Sequence, residues 1–221
     1  MSLKTAPLKK LIRLFYAPPR LRTSELRSDI RKDLSREEGR AGDGGDFHGP
    51  FWADARRHML GVADLDELVR QRVADSKGRL RLYPLLAEGF LSWWNEKRRW
   101  RNEPLTLLPN PPDSRVLLPE VGGIAKVGGA IGLESGSGFH RIIYPYFAEE
   151  PALPAEGARL TIWAMSQALS HYQLDDLRVL DVLRGGSFGT LDFPLQGNER
   201  AIFVDRYGRL LAEWDQLRKQ Y

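Results

Sequence analysis

The chain has 221 residues, 42% hydrophobic and 28% charged, enough to bury one substantial core or two small ones and too apolar to be disordered throughout. It contains no cysteine, which excludes disulfides, thiolate metal sites and a cysteine nucleophile. The net charge of +4 is unevenly spread: residues 1–32 hold nine Lys/Arg against two acids, residues 70–101 nine against three, and residues 102–221 eleven against fifteen. Any attraction to DNA or RNA therefore belongs to the N-terminal half.

No apolar run approaches a membrane span, so no membrane association is expected and a cytoplasmic location is the default. The opening stretch, MSLKTAPLKKLIRLFYAPPR, reads as a basic arm with Lys9, Lys10 and Arg13 as phosphate contacts. Thr23 to Glu38 reads as a short surface helix with a narrow apolar stripe of Leu26, Ile30 and Leu34. GRAGDGGD, residues 39–46, is the expected flexible link and closes a first region, 1–46. Pro50 opens a helical stretch, and Asp64 with Glu67 makes a capping-box-like start to another.

The strongest helix of the first half runs from Tyr83 to Arg101, with Leu86, Phe90, Trp93 or Trp94, and Trp100 down one side. It ends a helical region, 47–101. Its last turn carries Lys97, Arg98, Arg99 and Arg101 around Trp100. This is either an amphipathic core helix with a solvated basic end or a phosphate-contacting patch beside a stacking aromatic. Four prolines between Asn102 and Ser114 mark the boundary with the sheet-bearing half, 115–221. The glycine-dense run that follows lacks the G-K-S/T of a phosphate-cradling loop, and its Gly-Gly pairs read as tight hairpin turns.

Phe139 to Phe147, Ala155 to Tyr172 and Asp176 to Leu183 read as strand, helix and strand, a crossover unit with its helix covering one sheet. The fold class is α/β, with α+β as the alternative: a helical N-terminal half and a small mixed sheet. Arg184, ahead of Gly185 and Gly186 at a strand's carboxyl end, is either a ligand-binding candidate or an ordinary turn residue. The closing helix begins near Glu199. Phe203, Tyr207, Leu210, Trp214 and Leu217 recur along it at spacings of four and three, as an internal packing stripe or a seam for a protein partner.

Residues 120–190, with AIGLES at 130–135, the strand 139–147, RLTIW at 159–163 and the strand 176–183, resemble in element order the PD-(D/E)XK nuclease superfamily, in particular its RecB-like branch. The resemblance implies a nuclease-like core whose second hairpin strand carries an acid, one intervening residue and a lysine. Here that strand reads RIIYPYF, without either. Two-metal hydrolysis needs converging carboxylates, so the resemblance implies no metal cofactor and no cleavage, with Glu134 as a relic ligand and Glu149, Glu150 and Asp181 as remote alternatives. His48, His58, His140 and His171 form no i, i+4 pair or HExxH. The expected function is non-catalytic DNA or RNA binding, as a subunit of a DNA-processing or defence assembly. The alternatives are a protein-interaction or scaffold role without nucleic acid, and a metal-dependent nuclease with relocated ligands.

Overall fold

The structure, a computed structural model, describes residues 3–39, 46–97, 105–108, 113–136 and 138–221. Its centre is a five-stranded mixed sheet of β2 (Leu105–Leu107), β5 (Ile131–Ser135), β6 (His140–Tyr146), β7 (Leu177–Asp181) and β8 (Gly186–Phe188), in the order β2-β5-β6-β7-β8. β5 and β6 are antiparallel, and β6 and β7 are parallel across helix α6 (Ala155–Ala168), the crossover that the apolar, β-branched runs call for. β2 is missing from the sequence reading, which has only a connector there. Leu105–Leu107 is three residues long, too short to show an alternation in sequence, and it lies at the sheet's edge, paired with β5.

Each face of the sheet buries its own core. Ile142, Tyr144, Tyr146, Leu177 and Val179 face α6 together with α1 (Leu8–Tyr16) and α7 (Glu199–Arg218). Ile131, Leu133, Ile143, Leu180 and Val182 face α3 (Gly49–Met59), α4 (Leu65–Asp75) and α5 (Tyr83–Ser92). Alternation along β6 and β7 sends successive side chains to opposite cores, as a sheet covered on both faces requires. Gly89 of α5 lets this second layer approach closely: a Cβ there would lie 2.3 Å from the Val182 carbonyl oxygen. Asp64 caps α4 by accepting the Glu67 N–H at 2.9 Å, as expected. α5 passes into a π-helical turn, Trp93–Lys97, with Trp93 and Trp94 buried in the second core.

A second sheet, in the order β1-β4-β3, joins β1 (Thr5–Pro7) parallel to β4 (Gly123–Val127) and β4 antiparallel to β3 (Ser114–Leu118). The β3–β4 connection is the hairpin expected from Gly122-Gly123, with Gly122 at φ +60°. The Gly128-Gly129 pair instead carries the chain from one sheet to the other.

β1 and α1 correct the reading of a basic arm. Leu8, Leu11, Ile12, Leu14 and Phe15 are buried, so the lysines and arginine of LKKLIRLFY are the wet side of a helix whose other side is core. The partner seam on α7 is corrected as well. Phe203, Tyr207, Leu210, Trp214 and Leu217 are all buried within the chain's own core. Phe15 meets Phe203 edge-on at 5.1 Å, and Tyr207 Oη donates to the Leu3 carbonyl at 2.7 Å. A stripe with its covering inside the molecule has nothing to offer a partner helix. Among the described residues, no helix is long and apolar enough to cross a membrane.

Candidate nucleic-acid interface

α1 and α2 (Pro19–Glu37) meet the carboxyl end of β6 at a crevice of about 580 Å³, the end at which open α/β sheets hold ligands. Lys9, Lys10 and Arg13 of α1 line it with Glu25, Ser28, Asp29 and Lys32 of α2, together with Asp46, His48 and Tyr146 to Ala148. The structure thus brings the three predicted cations of the first stretch together. It also gives two of them partners: Lys10 Nζ lies 2.5 Å from Asp29 Oδ2, and Arg13 Nη2 lies 2.5 Å from Glu25 Oε1. Arg13 Nε also donates to the Glu150 carbonyl at 3.1 Å. These contacts clamp α1 onto α2 and onto the segment after β6.

Lys9 is less committed, 3.9 Å from Asp46 and 5.9 Å from the Phe147 ring centroid, and Lys32 has no ion-pair partner among the described residues. His48 stacks on Phe147 at 4.7 Å with an interplanar angle of 9°, and its Nε2 has no hydrogen-bond partner. Burial, followed by the charge of Lys9, pushes the imidazole pKa down to about 4, so it is neutral at pH 7. Burial raises the Glu25 carboxyl above its ordinary value against the pull of Arg13. Four cations against three carboxylates leave this crevice only a small positive excess.

The larger unpaired charge lies on the outer face of α2. Arg20, Arg27 and Arg31 are exposed at spacings of seven and four, with Ser24 and Ser35 on the same side and Ser28 at its edge. Leu26, Ile30 and Asp33 are buried beneath them. Arg20 and Arg31 have no carboxylate partner among the described residues, and Arg27 donates only to neutral Gln220, at 3.3 Å. This arginine-serine face runs for about 16 Å at 1.5 Å per residue before Glu38 closes it, and Ser28 and Lys32 join it to the crevice. Glu213 of α7 fixes the helix from the other side, accepting from Arg22 Nε at 2.7 Å and Thr23 Oγ1 at 2.8 Å. The sequence carried the signal: starting the helix at Pro19 rather than Thr23 adds Arg20 to the register of Arg27 and Arg31.

The other predicted cluster is represented by Lys97 alone, because Arg98, Arg99, Trp100 and Arg101 lie outside the described residues. Lys97 Nζ donates to the Gly185 carbonyl at 3.3 Å. Arg184 is a tie rather than an open ligand fork: Nη1 bonds Asp181 Oδ2 at 3.1 Å and the Ala148 carbonyl at 3.2 Å, and Nη2 bonds the Glu149 carbonyl. Glu134 is on β5, opposite His140, with 3.8 Å between Oε1 and Nε2. Glu149 is engaged by Arg81, and Asp181 by Arg184 and the Leu153 N–H. Among the described residues, no group of three or more His, Asp or Glu side chains is placed to hold a metal ion. No family model matches the chain, and no curated protein matches it in sequence.

Proposed function

We propose that this chain is a non-catalytic, nuclease-like α/β protein that binds DNA or RNA through its phosphates, in the cytoplasm and within a DNA-processing or defence assembly. The observation that carries the reading is the outer face of α2, where Arg20, Arg27 and Arg31 stand together without carboxylate partners, with serines between them. Clustered unpaired guanidiniums suit phosphate oxygens, and hydroxyls between them add neutral donors to the same backbone. The nuclease-like part of the reading is supported by the order of hairpin β5–β6, helix α6 and parallel strand β7. Its non-catalytic part is supported by β6, which has Ile142, Tyr144 and Tyr146 toward one core and Arg141 and Ile143 on the other side, with no acid-lysine pair. With the α7 stripe buried, the interaction-protein alternative loses one of the two surfaces that suggested it, the other being the basic stretch at residues 1–20.

The test is electrophoretic mobility shift on a DNA and an RNA duplex and on their single strands, at about 50 and about 200 mM salt. Binding that weakens steeply with salt and is lost in Arg20→Ala/Arg27→Ala/Arg31→Ala supports the reading. Absence of any shift at the lower salt removes it. Cleavage in Mg²⁺ or Mn²⁺ that Glu134→Ala abolishes would replace it with the metal-dependent reading.

A further inference from the structure

On the sheet face opposite α1 and α6, α3 and the corner where β2 meets β5 border a separate, half-open pocket of about 530 Å³. One wall is the outward side of α3, with Trp52, Ala53, Arg56 and Leu60 at helical spacing. The other is Leu107 and Leu108 with the backbone of Gly129 to Gly132. The wall is fixed rather than collapsible. Trp52 stands edge-on to Phe90 and Phe147, at 6.1 and 5.6 Å, and its Nε1 donates to the Gly129 carbonyl at 2.8 Å. The Gly132 carbonyl accepts the Leu108 N–H at 2.9 Å, and a Cβ on Gly132 would strike the Leu108 side chain. These two carbonyls of the glycine wall therefore already have their donors.

Among the described residues, the charged side chains of this lining are Arg56 and Arg57, and neither has a carboxylate partner. The lining is mostly apolar, and the volume is within the several hundred Å³ typical of small-ligand sites. Two arginines in its lining select an anion, and the planar fork of arginine matches a carboxylate. A bare inorganic anion would satisfy the arginines and leave the Trp52, Leu60 and Leu107 surfaces wet. A neutral hydrocarbon would cover those surfaces and leave the arginines unmatched.

We infer that this pocket binds a small amphipathic carboxylate, with its chain or ring against Trp52 and the Gly129–Gly132 wall and its carboxylate on Arg56 and Arg57. The inference goes beyond phosphate binding on α2 and does not depend on it. Isothermal titration of the full chain with decanoate, decanol and inorganic phosphate tests it. The variants are Arg56→Ala/Arg57→Ala and Ala53→Trp, all at partly or fully exposed positions of α3, with thermal melts to verify folding. Decanoate is expected to saturate a single site below its micelle concentration and to bind more tightly than decanol, with phosphate not binding there. The arginine variant should lose about tenfold or more for decanoate, the scale of one charge-assisted hydrogen bond, and hold decanol as before. Ala53→Trp, which fills the cavity, should abolish both. The inference is overturned if decanoate fails to saturate a single site, if decanol binds equally well, or if either folded variant binds decanoate like the parent.

Discussion

α1 and α2 are adjacent and both basic, yet their cations do different work. On α1, Lys10 and Arg13 each face a carboxylate of the neighbouring helix, so their charge is absorbed in holding the two helices together. On α2, Arg20, Arg27 and Arg31 are exposed and have no carboxylate partner among the described residues, so their charge remains available to solvent or a polyanion. A count along the sequence scores the two helices alike. What separates them is which neighbours the fold brings to each face, and a phosphate surface is defined by what the fold leaves unpaired.

The largest effect that would break this comparison is on stability. If α1 is a core element, Leu11→Ala, at a fully buried position, costs about 2–5 kcal/mol in urea unfolding. Arg27→Ala, exposed on α2, should change stability by no more than about 0.5 kcal/mol. Equal, small costs at both positions would restore the view of residues 1–20 as a loose arm. Next in size is the salt dependence of nucleic-acid binding. Removing three phosphate contacts with Arg20→Ala/Arg27→Ala/Arg31→Ala should flatten the slope of log K against log salt by about 2 to 3, whereas Lys10→Ala should leave it unchanged. A loss of about 0.9 in slope from Lys10→Ala, the value of one full phosphate contact, would bring α1 into the interface.

The crossover was legible because its signals are local: β-branched runs for β6 and β7, and between them an apolar stretch too long for a strand. The layered α/β class follows from the same pattern. β1 was not legible, since three residues become a strand only by pairing with β4, far along the chain, at Thr5↔Ile124. Periodicity showed the α7 stripe but not its direction, because an apolar stripe has the same spacing whether it meets its own core or another molecule. The site was half visible. Lys9, Lys10 and Arg13 line one crevice, but the carboxylates that neutralise two of them belong to a different helix, and ion pairing is a tertiary fact. The face that stayed open on α2 was obscured by starting that helix four residues late.

A third, smaller effect separates the crevice from the outer face by pH. His48 has its pKa pushed down to about 4 from an ordinary 6.5, by burial and then by Lys9 and Arg13, with Asp46 and Glu149 opposing. The unfolded chain therefore binds more protons than the folded one between these values. Stability falls as pH drops from 6.5 toward 4 and levels off below it. The loss is on the order of 1–3 kcal/mol after allowing for partial solvent screening. Glu25, with its pKa raised by burial, has the opposite sign: its favourable contribution is present below its ordinary value of 4.5 and is lost as pH rises through the folded value. His48→Phe keeps the ring on Phe147 and should remove the His48 limb from urea midpoints across this range. An unchanged profile would mean that the imidazole is hydrated and outside the α1 crevice.

The smallest effect is the most direct measure of how far the α1 charges are absorbed. Lys10 and Asp29 are both partly exposed, 30% and 19% at the side chain, so solvent weakens their attraction and fixing two long side chains offsets part of it. A double-mutant cycle on Lys10→Ala and Asp29→Ala should return a coupling of about 0.2–1 kcal/mol that shrinks with added salt. The same cycle on Arg31 and Glu25, which carry no such contact, should return about zero. Asp29→Ala alone should also release Lys10 to the crevice and raise nucleic-acid affinity at low salt, because the cation it held becomes one more unpaired charge beside Lys32. If Asp29→Ala leaves affinity unchanged while Arg31→Ala lowers it, the crevice lies outside the phosphate path and the outer face of α2 carries the contact alone.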